Sequence, residues 1–417
     1  MYNGLFKSFL ITLTAFAAVF LLFAPSWSAD WEVSPRVKII EEYNDNILFS
    51  YKGQKLDDFV TYMRPRVKAK CSTDRLRMSL NSGLGVEKYV DYDELDTIDH
   101  DHRITLSYAL SHTLSLKTGG YFREDTTETE LIEKDTVAAE IIEKDTTLET
   151  ELIEEGLLVY GEDRRKFGGN LGFNYDFSTR LKISAVWTRR YTEYPDDPDD
   201  LDDRASDTLK LVTSYILSPQ TSLFLNLIHT NTEYDDEWDT SIANYNIIPS
   251  FRHDFGETFY VSGGAGYRYT EHESKNSDEQ DEHTDGFVFN LLFHRDWERV
   301  SMELLASRNQ YSNADGLSVE RNILTLRGAY RLSDRFRSSL VATFRRNRVD
   351  KATNNSDYYS DYYTVSPSLS YDLTPTITLR GSVDYTEYDN KDINDADRER
   401  FRARLFLNFT WPRLWRG

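Results

Sequence analysis

Between Trp31 and Trp411 apolar and polar side chains alternate in runs of about ten residues, the length and period of a strand that crosses a membrane with one face to lipid. The runs come in pairs. A tight polar turn joins the two members of a pair and a longer acidic loop leads to the next, so that nine long connections alternate with eight short ones. This alternation of connections predicts an all-β, transmembrane, antiparallel up-and-down β-barrel. In a bilayer every backbone N–H and C=O must be paired, and only a closed sheet leaves no edge.

The phase of the alternation says which side chains face lipid. The first strand, read over 31–48, puts Trp31, Val33, Val37 and Ile39 outward and Ser34, Arg36 and Lys38 inward. The second puts Thr61, Met63, Val67, Ala69 and Cys71 outward and Arg64, Arg66, Lys68 and Lys70 inward. The third follows with Leu76, Met78, Leu80, Leu84 and Val86 outward and Arg75, Arg77, Ser79 and Asn81 inward. Tight turns are expected near 72–74, 111–113, 178–179, 218–220, 254–257, 296–298, 333–334 and 374–375, where Ser, Thr, Asp and Pro cluster. The total is about eighteen strands, sixteen being the alternative, with both termini on the side of the short turns, the periplasmic side in bacterial barrels. A barrel of that size encloses an aqueous channel, and no separate plug domain is expected.

The amino-terminal residues do not fit the strand pattern. Lys7 precedes an apolar run from Phe9 to Phe23, and small residues stand at Ser26 and Ser28, as in a cleaved secretory signal. The run falls short of the roughly 20 residues a spanning helix needs. Residues 1–28 are therefore expected to be a removed signal peptide and 29–417 a single outer-membrane barrel. Cys71 is the only cysteine, so no intramolecular disulfide exists, and its parity makes it a lipid-facing thiol.

Charge is distributed unevenly. The formal net charge is -21, and loss of Lys7 with the signal would make it more negative. The acids gather in the long connections: the longest, about 126–163, contains an imperfect repeat seen in Leu131–Thr136 and Ile141–Thr146, and 196–203 holds six aspartates in eight residues. Such runs are usually solvated surface, the alternative being divalent-cation bridging to lipopolysaccharide or a gate at the pore mouth. The inward parity, by contrast, is basic. Arg64, Arg66, Lys68 and Lys70 on the second strand, Arg398, Arg400, Arg402 and Arg404 on the last, and Arg36 and Lys38 between them form one wall if the barrel closes first strand to last. Arg75, Arg77, Arg335, Arg337 and Arg345 add to it. Fixed positive charge in a confined channel attracts anions. The competing reading is that these cations pair with lumen acids such as Glu32, Asp384 and Glu303, or with loops folded inward.

Enzymatic chemistry is not expected. There is no Gly-x-Ser-x-Gly elbow, phosphate-binding loop or His-Glu-x-x-His helix. Gly263, Gly264 and Gly266 lie within an alternating strand, where close strand packing explains them. His100, Asp101 and His102, or His272 and His283, lack further ligands at fixed spacing, so no metal and no cofactor is expected.

At Glu42-Tyr43-Asn44-Asp45-Asn46-Ile47-Leu48, followed by Asp57-Asp58-Phe59-Val60 and Arg64-Pro65-Arg66-Val67, the chain resembles the outer-membrane β-barrel porins of the β-barrel porin 2 type, associated with exosortase and exopolysaccharide systems. The motif covers about thirty residues, its general architecture the mature chain. The resemblance implies a conduit or accessory porin for export of an exopolysaccharide, an anionic one in view of the lumen. Its partners would be outer-membrane lipid and lipopolysaccharide, the barrel-assembly machinery and a periplasmic polysaccharide-export protein, with no nucleic acid. Two other functions fit the same barrel: a general diffusion porin with anion preference, and a structural or adhesive barrel with an occluded lumen. The carboxyl end departs from many barrels, which finish on an aromatic residue; here Phe409 and Trp411 are followed by 412–417.

Overall fold

A computed structural model describes residues 29–50, 52–126, 163–195, 202–235, 240–274, 282–312, 318–349, 358–390 and 397–411. The expected signal peptide, the acidic repeat and residues 412–417 lie outside the described residues.

The described residues form eighteen strands: β1 (Asp30–Asn44), β2 (Asp58–Ser72), β3 (Leu76–Tyr89), β4 (Thr97–Ala109), β5 (Leu114–Thr126) and β6 (Asp163–Asp176). Next come β7 (Leu181–Glu193), β8 (Arg204–Ser218), β9 (Thr221–Tyr234), β10 (Thr240–Asp254), β11 (Phe259–Ser274) and β12 (Glu282–Asp296). The last are β13 (Val300–Ser312), β14 (Ser318–Arg331), β15 (Phe336–Val349), β16 (Tyr358–Thr374), β17 (Ile377–Asn390) and β18 (Arg398–Thr410). Each pairs antiparallel with its neighbours in sequence, and β1 pairs with β18 to close the sheet. The expected up-and-down barrel of eighteen strands is thus observed.

All eight tight connections fall where the polar clusters predicted them, and several share one device. A hydroxyl at the start of the turn accepts hydrogen bonds from the two main-chain N–H groups that enter the next strand. Ser178 Oγ accepts from Arg180 N (3.2 Å) and Leu181 N (3.0 Å). Ser111, Ser218 and Ser333 do the same at their turns, and so does Thr73 Oγ1. The hydroxyl supplies the acceptor that the reversing chain lacks.

The outer face is apolar along the predicted parity. Leu171, Leu209, Ile247, Phe287, Leu369 and Leu405 are among its most exposed side chains. Aromatic residues mark both margins of this band: Phe336 and Phe344 on β15, Tyr363 and Tyr371 on β16, Phe401 and Phe409 on β18. Members of a pair are eight positions apart, so at ~3.3 Å per residue and a tilt of about 40° the two belts stand roughly 20 Å apart along the barrel axis. That spacing suits girdles flanking a lipid-facing band.

Pro65, Pro249 and Pro367 each leave a local gap in the ladder on one side of their strand. The β2–β3 register skips Arg64 and Pro65, the β10–β11 register skips Ile248 and Pro249, and the β16–β17 register skips Ser366 and Pro367. Proline has no N–H to donate, so the gap falls where the chain can least use a bond. Opposite Pro249 the backbone of β11 comes close: a Cβ on Gly266 would overlap the Ile247 carbonyl oxygen. Gly264 is similarly crowded, by Ser250 and Asn290. The glycine cluster is a packing requirement, as its place in a strand suggested.

Two findings differ in detail from the sequence reading. Cys71 has outward parity as expected, but Ala29, Trp31 and Met78 pack over it and only 2% of it is exposed. And β1 stops at Asn44 instead of running on to Leu48. Asn44 Oδ1 accepts a hydrogen bond from Asn46 N (3.1 Å), and Phe49 takes a φ of 46°, so the chain bends away from the sheet. The apolar residues Ile47 and Leu48 that prolonged the alternation belong to a loop that folds inward.

Candidate functional site

Lumen-facing positions are those opposite in parity to the exposed apolar stripes. On β1 these are Arg36, Lys38, Ile40, Glu42 and Asn44; on β2 they are Asp58, Val60, Tyr62, Arg64, Arg66, Lys68 and Lys70; on β18 they are Arg398, Arg400, Arg402, Arg404 and Phe406. Closure of β1 against β18 joins these sets into one wall, with Arg36 directly opposite Arg66, Lys38 opposite Arg64, Glu42 opposite Arg404 and Asn44 opposite Arg402. Arg77 extends it on β3, and Arg337 and Arg345 stand on the inward parity of β15. Arg75 and Arg335 do not. Both lie in tight turns, before β3 and β15 begin, and their exposed side chains belong to the turn rim of the barrel. In both places the alternation of the sequence runs one residue past the strand, into the turn.

Cations stacked on adjacent strands repel one another unless carboxylates intervene, and here the neighbouring strands supply them. Arg64 Nη2 lies 3.0 Å from Glu87 Oε1 on β3, and Arg66 Nη2 lies 2.9 Å from Asp101 Oδ2 on β4. Arg404 is held between Asp384 on β17 and Glu42 on β1, the latter at 3.8 Å. At the turn rim Arg337 pairs with Asp372 at 2.7 Å and Lys70 with Glu32 at 3.9 Å. Ion pairing therefore accounts for part of the basic wall, including Asp384 and Glu32 as anticipated. Another part rests on aromatic faces: Lys38, Arg380 and Arg404 approach the Phe406 ring with their charges 5.1, 5.3 and 5.6 Å from its centroid, and Arg345 lies 5.3 Å from that of Tyr362. Lys68, Lys70 and Arg77, near the turn rim, are exposed.

The basic character also continues around the barrel beyond the residues first singled out. Arg103, Arg123, Arg164, Arg190, Arg204, Lys210, Arg268, Arg321, Arg327 and Arg380 all take the inward parity of their strands. Arg123 and Arg164 share Asp125, at 2.6 and 3.2 Å. Arg327 pairs with Glu303 at 2.6 Å, the third anticipated acid. Arg321 donates to Asn347 Oδ1 (3.0 Å), and Arg268 donates to Thr270 Oγ1, which in turn donates to Asn244 Oδ1 (2.8 Å). The period-two rule that identified the seam would have found these too, had it been followed through the middle strands.

The upper part of the wall, at the long-loop rim, is different. Ile40, Val60, Tyr62, Tyr89 and Phe406 point inward from β1, β2, β3 and β18 and form an apolar cluster with Ile47 of the first loop. Leu48, Leu56, Tyr92 and Leu95, from the loops 45–57 and 90–96, pack against it. What the arrangement offers chemically is a polar, guanidinium-rich channel wall with an apolar shelf at one mouth. Among the described residues no group of three or more His, Cys, Asp or Glu side chains is arranged to hold a metal.

No family pattern matches this sequence, and no curated relative does. Solved structures do match in fold. OccK2 (OpdF) of Pseudomonas aeruginosa superposes with a TM-score of 0.52 at 11% identity, over 92% of this chain and 98% of that one. The same protein in complex with glucuronate gives 0.51 at 12% identity over the same shares. OccK5 (OpdH) of Pseudomonas aeruginosa gives 0.50 at 10% identity, over 93% and 99%. At such identities the likeness is one of architecture: the chain has the closed β-barrel fold of the outer-membrane porins.

Proposed function

We propose that the protein is an outer-membrane channel whose arginine- and lysine-lined lumen passes small anionic solutes, a porin with anion preference. The observation that carries this reading is the run of inward cations on the adjoining strands β17, β18, β1, β2 and β3. On one strand successive inward residues lie about 7 Å apart, so an anion can pass between several weak sites without being held at any one, as conduction requires. Glucuronate, named with one structural neighbour, is an acidic sugar of the kind such a wall would suit. In this reading the tight turns and both termini face the periplasm, the acidic loops face outward, and the apolar band contacts lipid and lipopolysaccharide after delivery by the barrel-assembly machinery.

The test is planar-bilayer recording across a salt gradient. Arg36, Lys68, Lys70 and Arg77 are replaced by glutamine, leaving the buried pairs of Arg64 and Arg404 intact. The wild-type reversal potential should report anion selectivity, and the variant's should move toward zero. An equal potential in both, with normal assembly, would mean the wall does not select.

Export of an acidic exopolysaccharide is a second reading, favoured by the motif from Glu42 to Leu48 and its resemblance. It would require a periplasmic polysaccharide-export protein at the turn rim, and secreted polymer would fall when the gene is deleted. The apolar shelf at the long-loop rim argues for the smaller solute, because it occupies the mouth a polymer would have to leave by. A structural or adhesive barrel would give no stepwise current at all.

A further inference from the structure

The segment that follows β1 has a built conformation. The Asn46 side chain is fully buried, and its amide uses both ends: Nδ2 donates to the main-chain oxygens of Ser50 (2.8 Å) and Glu399 (2.9 Å), while Oδ1 accepts from Ser50 N (2.8 Å). A carboxylate of the same shape would lose both donated bonds and face two carbonyl oxygens with a negative charge. The neighbouring residues add further ties across the barrel seam. Asp45 N donates to Phe401 O (3.1 Å), Phe401 N donates to Asp45 Oδ1 (2.6 Å), and Lys55 reaches Asp45 and Glu399, each at 3.1 Å.

Held this way, 46–50 packs against the lumen side of the wall. Ile47 and Phe49 are both fully buried. Ile47 joins the inward cluster of Ile40, Val60, Tyr62, Tyr89 and Phe406, and the Phe49 ring reaches the inward residues Arg400 (4.8 Å from Cζ to ring centroid) and Tyr362 of β16 (6.2 Å between centroids). The segment therefore touches wall residues from β16 round the seam to β3. Its backbone at Phe49 is in the left-handed region, which a phenylalanine adopts at a cost unless packing over-determines it.

We propose that residues 46–50, latched by Asn46 and filled by Phe49, are the element that sets the size limit of the channel. This rests on the reading of the protein as an open channel and adds the location of its constriction. The chemistry of the element fits the role. It adds apolar bulk to the inward shelf of a lumen that is elsewhere polar and guanidinium-rich, so it limits cross-section while the guanidinium wall below supplies selectivity.

Two variants test it. Asn46→Asp keeps side-chain volume and breaks the latch; Phe49→Gly removes the ring, keeps the latch and suits a positive φ. Each is refolded in detergent, checked by heat-modifiable gel migration, and compared with wild type for unitary conductance and for the largest neutral polyethylene glycol that enters the lumen. Either variant should raise conductance about twofold or more and admit a larger polymer, with anion preference kept. If a correctly assembled Phe49→Gly barrel has wild-type conductance and cutoff, the proposal is overturned while the channel reading stands. If wild type is silent and the variant conducts, the segment is a closure: the constriction is supported and the permanently open channel is not. Silence in both overturns both.

Discussion

Arg64 and Glu87 meet 3.0 Å apart on the lumen face of adjacent strands, with 12% and 2% of their side chains exposed. A buried ion pair of this kind is asymmetric in its energetics. Removing one partner strands the other charge, whereas replacing both with apolar groups of similar volume often costs nothing.

Arg64→Gln is accordingly expected to lower unfolding stability in urea by about 3–5 kcal/mol, while Arg64→Met combined with Glu87→Leu should fold nearly as stably as wild type. A single variant as stable as wild type would show that water reaches Glu87 in the lumen.

The orientation of each strand makes a contrast of position. Leu171 faces outward midway along β6, between Phe167 and Tyr175, and is 56% exposed. An arginine there would sit near the centre of the bilayer, costing about 2–4 kcal/mol. Val212 has inward parity on β8, and Val212→Arg should be tolerated. Equal losses at the two sites, read from urea titrations in lipid vesicles, would contradict the assigned faces.

Cys71 is shielded on the outer wall, so a water-soluble maleimide should leave it unmodified in the assembled barrel and label it fully after heat unfolding. Rapid stoichiometric labelling of the native form would place the thiol in water.

The loop 45–57 carries its own pH response. Burial opposes the charge on Lys55, but its hydrogen bonds to Asp45 and Glu399 outweigh that and hold the ammonium above the ordinary lysine range. A raised pKa in the folded form stabilises wherever lysine is charged in the unfolded chain too, and that contribution is lost as pH rises through the raised value. A nitroxide placed by Gln54→Cys in a Cys71→Ser background should stay immobilised from neutral pH to the ordinary lysine range, about 10.4, and loosen only above it. Loosening between pH 6 and 8 would show that the ties of Lys55 to Asp45 and Glu399 do not hold the loop.

Strand number, turn positions and faces could be read from the chain because each depends on local chemistry: a period of two, a cluster of polar residues at each tight turn, an alternation of short and long connections. Which loop folds inward could not. Ile47 and Leu48 continue the alternation of β1, and nothing in their identity says that Asn46 will find a carbonyl on β18. Apolar side chains such as Ile47 and Phe49 within an otherwise polar loop were the available hint. The ion pairs were half legible: parity placed Arg64 and Glu32 in the lumen, but the partner of Arg64 was fixed by the β2–β3 register, and that depends on the gap at Pro65.

The closing of β1 on β18 has a consequence for time as well as shape. Every other pairing joins strands that are neighbours along the chain, so hairpins can form and zip one after another at little entropic expense, whereas the seam must bring together residues such as Glu42 and Arg404 from opposite ends of the molecule. A ring has no intrinsic starting point. Cutting the chain in any tight turn and joining its old ends would leave the same circle of strands, with only the last step of assembly moved to a different place.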